Sequence, residues 1–221
     1  MLVTGFAAGP WATNCWVVSQ GPSSECVIID PGFDSLARIA DIVAENHLKP
    51  VAAFLTHGHV DHMWSVYPLS KGYDIPAVIH SADRHLLADP GQGISAEGRN
   101  MITMLGGEFA EPDQVLDFAQ DTQLNFAGFD FRIQHAPGHT PGSVVFSLVN
   151  DELPRMFSGD VLFQGSIGRT DLPGGDHSAM LKSLERVILS ADPETHVHCG
   201  HGSDTTIAQE LRTNPYLRGL S

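Results

Sequence analysis

Residues Thr56–His62 read THGHVDH, three histidines and an aspartate within seven positions. The stretch begins where a short apolar run, Val51–Thr56 (VAAFLT), ends, and that run has the length and composition of a buried strand. On a strand, residues two apart point to the same side. His57 and His59 can therefore grip one ion if Thr56–His59 stays roughly extended. Asp61 and His62 follow where the chain must turn towards a helix, so they can face a different point. The spacing predicts two half-sites rather than one crowded site. Neutral imidazole and carboxylate are suitable ligands for zinc, iron or manganese.

One cluster is not a complete site, and later segments offer further donors. Ala136–Ser143 (APGHTPGS) supplies His139 inside a turn enforced by Pro137, Gly138, Pro141 and Gly142. Phe157–Phe163 (FSGDVLF) supplies Asp160 just after an apolar strand, and His198–Gly202 (HCGHG) supplies His201 between two glycines. All lie at expected strand-to-loop transitions, where a buried scaffold presents side chains to a shared cleft. His47, His80, His85, His135, His177, His196 and His198 lack this context and read as structural.

Working outward, Asn14–Ser19 (NCWVVS) and Cys26–Gly32 (CVIIDPG) are β-rich, the second stopped by Pro31-Gly32. Asp34 is expected to cap a helix with Leu36, Ile39, Ala40 and Val43 on one face. Ile75–His80 (IPAVIH) reads as a strand, and Ser81 as the cap of a short helix closed by Asp89-Pro90. Residues 91–112 are glycine-rich and weakly patterned. Met101, Ile102 and Leu105 share a helical turn there, and the segment reads equally as a lid or as an ordinary surface loop. Beyond Gln123 strands dominate: QLNFAG (123–128), FDFRIQHA (129–136), SVVFSLV (143–149) and RMFSGD (155–160). A helix is expected after Asp176, with Met180, Leu181, Leu184, Val187 and Ile188 on one stripe. THVHCGHG (195–202) makes a last strand and turn, and a short helix leads to Asn214-Pro215. Strands in two blocks with helices between them predict an α/β protein of two sheets with helices outside, rather than one doubly wound sheet.

The chain has 221 residues, long enough to bury a substantial core. It carries 12 Lys and Arg against 26 Asp and Glu, a formal charge of −14. Such a surface repels phosphate backbones, so no nucleic-acid partner is expected. Three cysteines, Cys15, Cys26 and Cys199, are too few and too scattered for a disulfide framework. The start has no signal-peptide pattern and no run approaches a membrane span, so a cytoplasmic protein with no membrane partner is expected.

Taken together, THGHVDH, APGHTPGS, SGD and GHG in that order resemble the metallo-β-lactamase superfamily over nearly the whole chain. The resemblance implies a four-layer αββα sandwich with a metal site along one edge of the sheets, here as a single domain over residues 1–221. It implies that His57, His59 and His139 hold one metal, that Asp61, His62 and His201 hold a second, and that Asp160 bridges them. Asp30, closing VIID, would orient a ligand from behind. The stretch FSGDVLFQGSIGRTDLPGGD is similar to glyoxalase II-like (hydroxyacylglutathione hydrolase-like) thiolester hydrolases, especially the short bacterial group. The C-terminal helical domain of glyoxalase II, which helps bind glutathione there, is not expected, so the resemblance implies the thiolester chemistry without implying glutathione as the thiol. Many β-lactamases carry cysteine where this chain has Asp160, so the resemblance leads away from antibiotic hydrolysis. The alternative branch is that of the persulfide dioxygenases, mononuclear iron oxidoreductases with a GRTD-like stretch of their own.

The hydrolase branch implies two divalent ions, zinc first with iron or manganese as alternatives. On that branch, two ions about 3.5–4 Å apart would acidify a shared water towards neutrality for attack on the acyl carbon of a small-molecule thiolester. Asp160 would be catalytic by joining the ions and Asp61 by guiding the water's proton. Arg169 is a candidate partner for a substrate carboxylate, with an ion pair to Asp171 as the competing expectation. Trp11, Trp16 and Trp64 are expected to serve packing, with a cleft wall as the second option for Trp64, next to the histidine motif.

Overall fold

The computed structural model describes residues 1–148 and 153–220. Strands β1 (Leu2–Ala8), β2 (Thr13–Ser19), β3 (Glu25–Ile29), β4 (Lys49–Phe54), β5 (Ala77–His80) and β6 (Val115–Phe118) form one sheet in that spatial order. The pairs from β1 to β3 are antiparallel, and those from β3 to β6 are parallel. Strands β7 (Thr122–Phe126), β8 (Phe129–His135), β9 (Val144–Leu148), β10 (Arg155–Gly159), β11 (His196–Cys199) and β12 (Thr205–Thr206) form the second sheet, again in sequence order. The β10–β11 pair is parallel and its neighbours are antiparallel. Val149, the last residue of the expected strand SVVFSLV, lies outside the described residues.

Period-two alternation sorts the strand residues into layers. Trp16, Val18, Val27, Ile29 and Phe54 of the first sheet meet Phe131, Ile133, Phe146 and Phe157 of the second. The opposite face of the first sheet, with Cys15, Val17, Cys26 and Ile28, packs on α1 (Leu36–Glu45) and α3 (Val66–Tyr73) through Ile39, Ile42 and Leu69. The outer face of the second sheet, with Val145, Met156 and Val197, packs on α5 (His177–Ser183) and α6 (Ile207–Thr213) through Met180 and Ile207. The result is the expected αββα sandwich. Phe54 is fully buried in the central layer against Phe126, Phe131 and Phe146, an apolar side chain worth about 1.5–3 kcal/mol when removed from water.

Several local expectations need correction. Asp34 does not cap α1. It adopts φ 58°, the N-cap position is Ser35, and the Ser35 hydroxyl donates to Gly32 O. The buried stripe of α1 is Ile39 and Ile42, while Leu36 and Ala40 face out. Ser81 caps nothing; Asp83 precedes the short 3₁₀ turn Arg84–Leu87, with its carboxylate turned elsewhere. Residues 91–112 contain a regular helix, α4 (Ala96–Leu105), started by the Ser95 hydroxyl accepting from Gly98 N. Asp176 does cap α5, accepting from Ala179 N at 3.0 Å, and the helix then widens into a π turn over Leu184–Ile188. Strands β1 and β6 were not expected. β1 is a half-exposed edge strand holding Gly5, and β6 is a four-residue edge strand interrupted by Asp117.

Candidate metal centre

The seven expected donors reach one edge of the sandwich from both sheets. His57 lies in the bend after β4, and His59 is the N-cap of the one-turn helix α2 (Val60–Met63), which carries Asp61 and His62. His139 sits in the turn between β8 and β9, Asp160 follows β10, and His201 follows β11. Backbone bonds sew the edges together here. Val144 N donates to Thr56 O at 2.8 Å, and Asn14 N donates to Gly200 O at 2.7 Å.

The donor atoms converge in overlapping groups: His57, His59 and His139; His57, His62 and Asp160; and Asp61, His62 and His201, each within 4.8 Å. His59 Nδ1 is 2.8 Å from His139 Nε2, and His62 Nε2 is 3.3 Å from His201 Nε2. Between these pairs stand the carboxylates. Asp160 Oδ2 is 3.5 Å from His139 Nε2 and 3.6 Å from His201 Nε2, and its Oδ1 is 3.2 Å from His62 Nε2. Asp61 Oδ2 is 3.5 Å from His62 Nε2 and 3.3 Å from His201 Nε2. The half-sites are thus not separate: His57 belongs to both sides, its ring centroid 4.1 Å from that of His62.

The neighbours of each ring fix which nitrogen carries the proton. His139 Nδ1 is 2.7 Å from Arg169 O, and His201 Nδ1 is 3.1 Å from Trp11 O, so both donate from Nδ1. His62 Nδ1 donates to Asp30 Oδ2 at 2.9 Å. Thr56 Oγ1 gives its own proton to Asp30 Oδ2 at 2.7 Å, which leaves it to accept from His57 Nδ1 at 3.1 Å. Each of these four rings therefore turns its Nε2 inward, and His57 Nε2 is buried without a hydrogen-bond partner. Ring nitrogens that face one another and face carboxylates call for positive charge between them, which a proton or a metal ion can supply. The residues fit a metal centre, with His59 contributing Nδ1.

The charges follow the same pattern. Burial holds His57 well below the ordinary imidazole range, reinforced by His62, His139, His59 and His201. Burial and His139 lower His59 to about 3, against the pull of Asp61 and Asp160. Burial also works against charge on His62, but Asp61, Asp160 and Asp30 outweigh it and raise that ring well above its usual range. His201 is raised in the same way, with burial outweighed chiefly by its bond to Asp61. Asp61 and Asp160 are lowered despite burial, chiefly by His62. The carboxylates thus hold positive charge at His62, as a proton or as a metal ion that displaces it.

Asp30 is 1% exposed and left-handed at φ 51°, and it also accepts from Thr56 N at 2.8 Å. Asp83 was not foreseen. Its fully buried carboxylate accepts from Gly58 N at 2.8 Å, Thr140 Oγ1 at 2.6 Å and Gly142 N at 2.7 Å, binding the His57–His59 loop to the His139 turn. A lone aspartate beside Ser81 carries no sequence signal for that role. Gly200 leaves no room for a side chain, since a Cβ there would lie 2.8 Å from His62 Cε1 and would also strike Asp160 Oδ1. Arg169 forks its guanidinium onto Asp171 at 2.7 and 2.8 Å, and its carbonyl is what touches the cluster. Trp64 packs on Phe33 and Phe109, whereas Trp11 lines the cleft. Cys199 is fully buried, with its thiol pushed up to about 12 by burial, and is no nucleophile. A cleft of about 310 Å³ opens onto His59, Asp61, His139, Asp160 and His201.

A two-sheet sandwich with this histidine-rich edge defines a class, the metal-dependent hydrolases built on the metallo-β-lactamase fold. The model of the metallo-beta-lactamase superfamily matches residues 8–201, and the chain belongs to that superfamily. Among curated relatives, the chain is 36% identical to the hydroxyacylglutathione hydrolase GloC of Haemophilus influenzae over 94% of each chain. Among solved structures, it is similar to the BLEG-1 B3 metallo-beta-lactamase, with a TM-score of 0.85 and 39% identity, covering 99% of this chain and 100% of that one. It is also similar to TTHA1623 in a di-iron-bound form (TM-score 0.78, 35% identity, 98% and 100% covered) and to ETHE1 from Myxococcus xanthus (TM-score 0.78, 26% identity, 100% and 86% covered).

Proposed function

We propose that this chain hydrolyses small-molecule thiolesters, in the manner of a glyoxalase II-like enzyme that converts an S-2-hydroxyacyl thiol to a hydroxy acid and a thiol. The observation that carries the reading is the set of inward-facing Nε2 atoms of His57, His62, His139 and His201, held around Asp160 beside a ligand-sized cleft. The likeness to GloC supports the substrate class.

His57, His59 and His139 would hold one divalent ion, and Asp61, His62 and His201 another, with Asp160 between them. Bound there, the ions supply Lewis acidity to a water and to the substrate carbonyl. Zinc is the first candidate on donor chemistry; the di-iron form of TTHA1623 supports iron equally, and manganese suits the same donors. Asp61 is fixed by the Thr13 hydroxyl at 2.9 Å and lies where it can guide the proton of the attacking water. Oxygen adds to the acyl carbon, the C–S bond breaks, and the electron pair leaves on sulfur. A thiol has a pKa of roughly 8.5, so the thiolate departs without a strong general acid. Such a departure suits a cleft whose floor presents metal donors and carboxylates.

The acidic chain and its buried free cysteines support a cytoplasmic enzyme that acts on a small molecule rather than on nucleic acid. Among the described residues, no helix is long and apolar enough to cross a membrane. The likeness to ETHE1 gives weight to the alternative, a mononuclear iron persulfide dioxygenase. The likeness to BLEG-1 returns β-lactam cleavage to the reactions that must be measured.

The test is metal content per chain by elemental analysis on protein purified without added metal, with acyl-thiol, β-lactam and persulfide assays on the same sample. Two ions per chain with thiolester cleavage, abolished in His57→Ala, is the expected result. A single iron with oxygen uptake on a persulfide would overturn it.

A further inference from the structure

The cleft has two chemically different ends. Its floor is the histidine and carboxylate cluster. Its walls come from Trp11, Ile94, Met101, Ile102 and Leu172. Histidines aside, Arg169 is the one cationic side chain among the described lining residues, and its guanidinium is committed to Asp171. The Ser95 hydroxyl on the same wall is engaged in capping α4.

Helix α4 supplies Met101 and Ile102 to the wall, yet none of its residues is buried. Met101 and Leu105 are each 40% exposed, and Met104 is 86% exposed. A ten-residue helix gains most of its stability from an apolar partner. Here the underside of α4 meets the cleft rather than a core, so an apolar ligand would supply that partner.

We infer that the cleft holds the apolar chain of an acyl group, so that the enzyme selects thiolesters whose acyl part continues as an uncharged alkyl chain past the carbon next to the carbonyl. The substrate class rests on the thiolester reading; the chain site rests on the walls alone. A terminal carboxylate on the chain would meet no uncommitted cation there, in a protein whose formal charge is −14. Each methylene moved from water into the cleft contributes about 0.8 kcal/mol, roughly fourfold in affinity or in kcat/KM.

The experiment uses the metal-loaded full chain and two matched series, from acetyl to octanoyl. One consists of acyl thiolesters on a single small neutral thiol, read as kcat/KM. The other consists of the corresponding straight-chain carboxylates, read as binding by calorimetry. Both should rise about fourfold per methylene until the cleft is full. A dicarboxylate of equal length should bind at least about tenfold more weakly than the monocarboxylate. Ile102→Ser should flatten both series. Turnover or binding that is indifferent to chain length, or equal binding of the dicarboxylate, overturns the chain site. Rising binding with no thiolester turnover upholds the chain site and overturns the thiolester reading.

Discussion

The carboxylate of Asp83 lies 2.6 Å from the hydroxyl of Thr140, a residue 57 positions further along the chain. With its bonds to Gly58 N and Gly142 N, this contact locks the loop of His57 and His59 against the turn of His139. Asp83→Ala should therefore cost roughly 3 kcal/mol of stability, because buried charge-assisted bonds are lost together. It should also weaken metal binding about tenfold or more. Urea denaturation and competition with a chromogenic chelator check the two effects, and unaltered metal affinity would remove Asp83 from the site.

Asp30 acts on the other side of the cluster, anchoring His62 Nδ1 and, through the Thr56 hydroxyl, His57. Asp30→Asn retains the shape but loses the anion that fixes both tautomers. Metal affinity should fall roughly 10- to 100-fold. Secondary structure should persist by circular dichroism, which separates this effect from unfolding.

Gly200 sits where a methyl group would strike His62 and Asp160. Gly200→Ala should destabilise the fold by about 1–3 kcal/mol through overpacking and disturb the donor spacing. Metal stoichiometry and thermal melting report both effects. A variant with wild-type stability and full loading would show that the β11 turn relaxes freely.

The His59 imidazole is held at about 3 in the folded chain, against roughly 6.5 when unfolded. Between those values the unfolded chain binds a proton that the folded chain refuses, so stability falls as pH falls through this window. Buried His57 acts in the same direction. His62 and His201 are raised and act oppositely: their contribution is complete below about pH 6.5 and is lost as pH rises. In chelator-treated protein, moving from about pH 6.5 to pH 5 should cost about 1.5 kcal/mol more in the wild type than in His59→Asn. Equal losses in the two proteins would show that His59 titrates normally.

Much of the architecture was legible because the strands bury both faces. The alternation of Cys26 and Ile28 against Val27 and Ile29 writes two cores into one short run. The candidate donors were legible because their segments each pair a metal-competent side chain with a forced turn. Asp83 was not, since its role arises only when residues 58, 140 and 142 come together in space. The α1 cap was misread because Asp34 and Ser35 are both good capping residues, and only the backbone decides between them. The edge strands β1 and β6 lack the burial that makes a strand visible as a pattern.

Each sheet is built from one continuous half of the chain, β1–β6 from residues 2–118 and β7–β12 from residues 122–206. The donors divide the same way, with His57, His59, Asp61 and His62 on the first half and His139, Asp160 and His201 on the second. A backbone nick at residues 119–121 would thus cut the protein into two pieces that each own an incomplete coordination set. Reassociation of such fragments would close the apolar layer between the sheets and, on the proposed reading, be strengthened by the ions, which makes the crossing between β6 and β7 a natural cut point for a split reporter of metal supply.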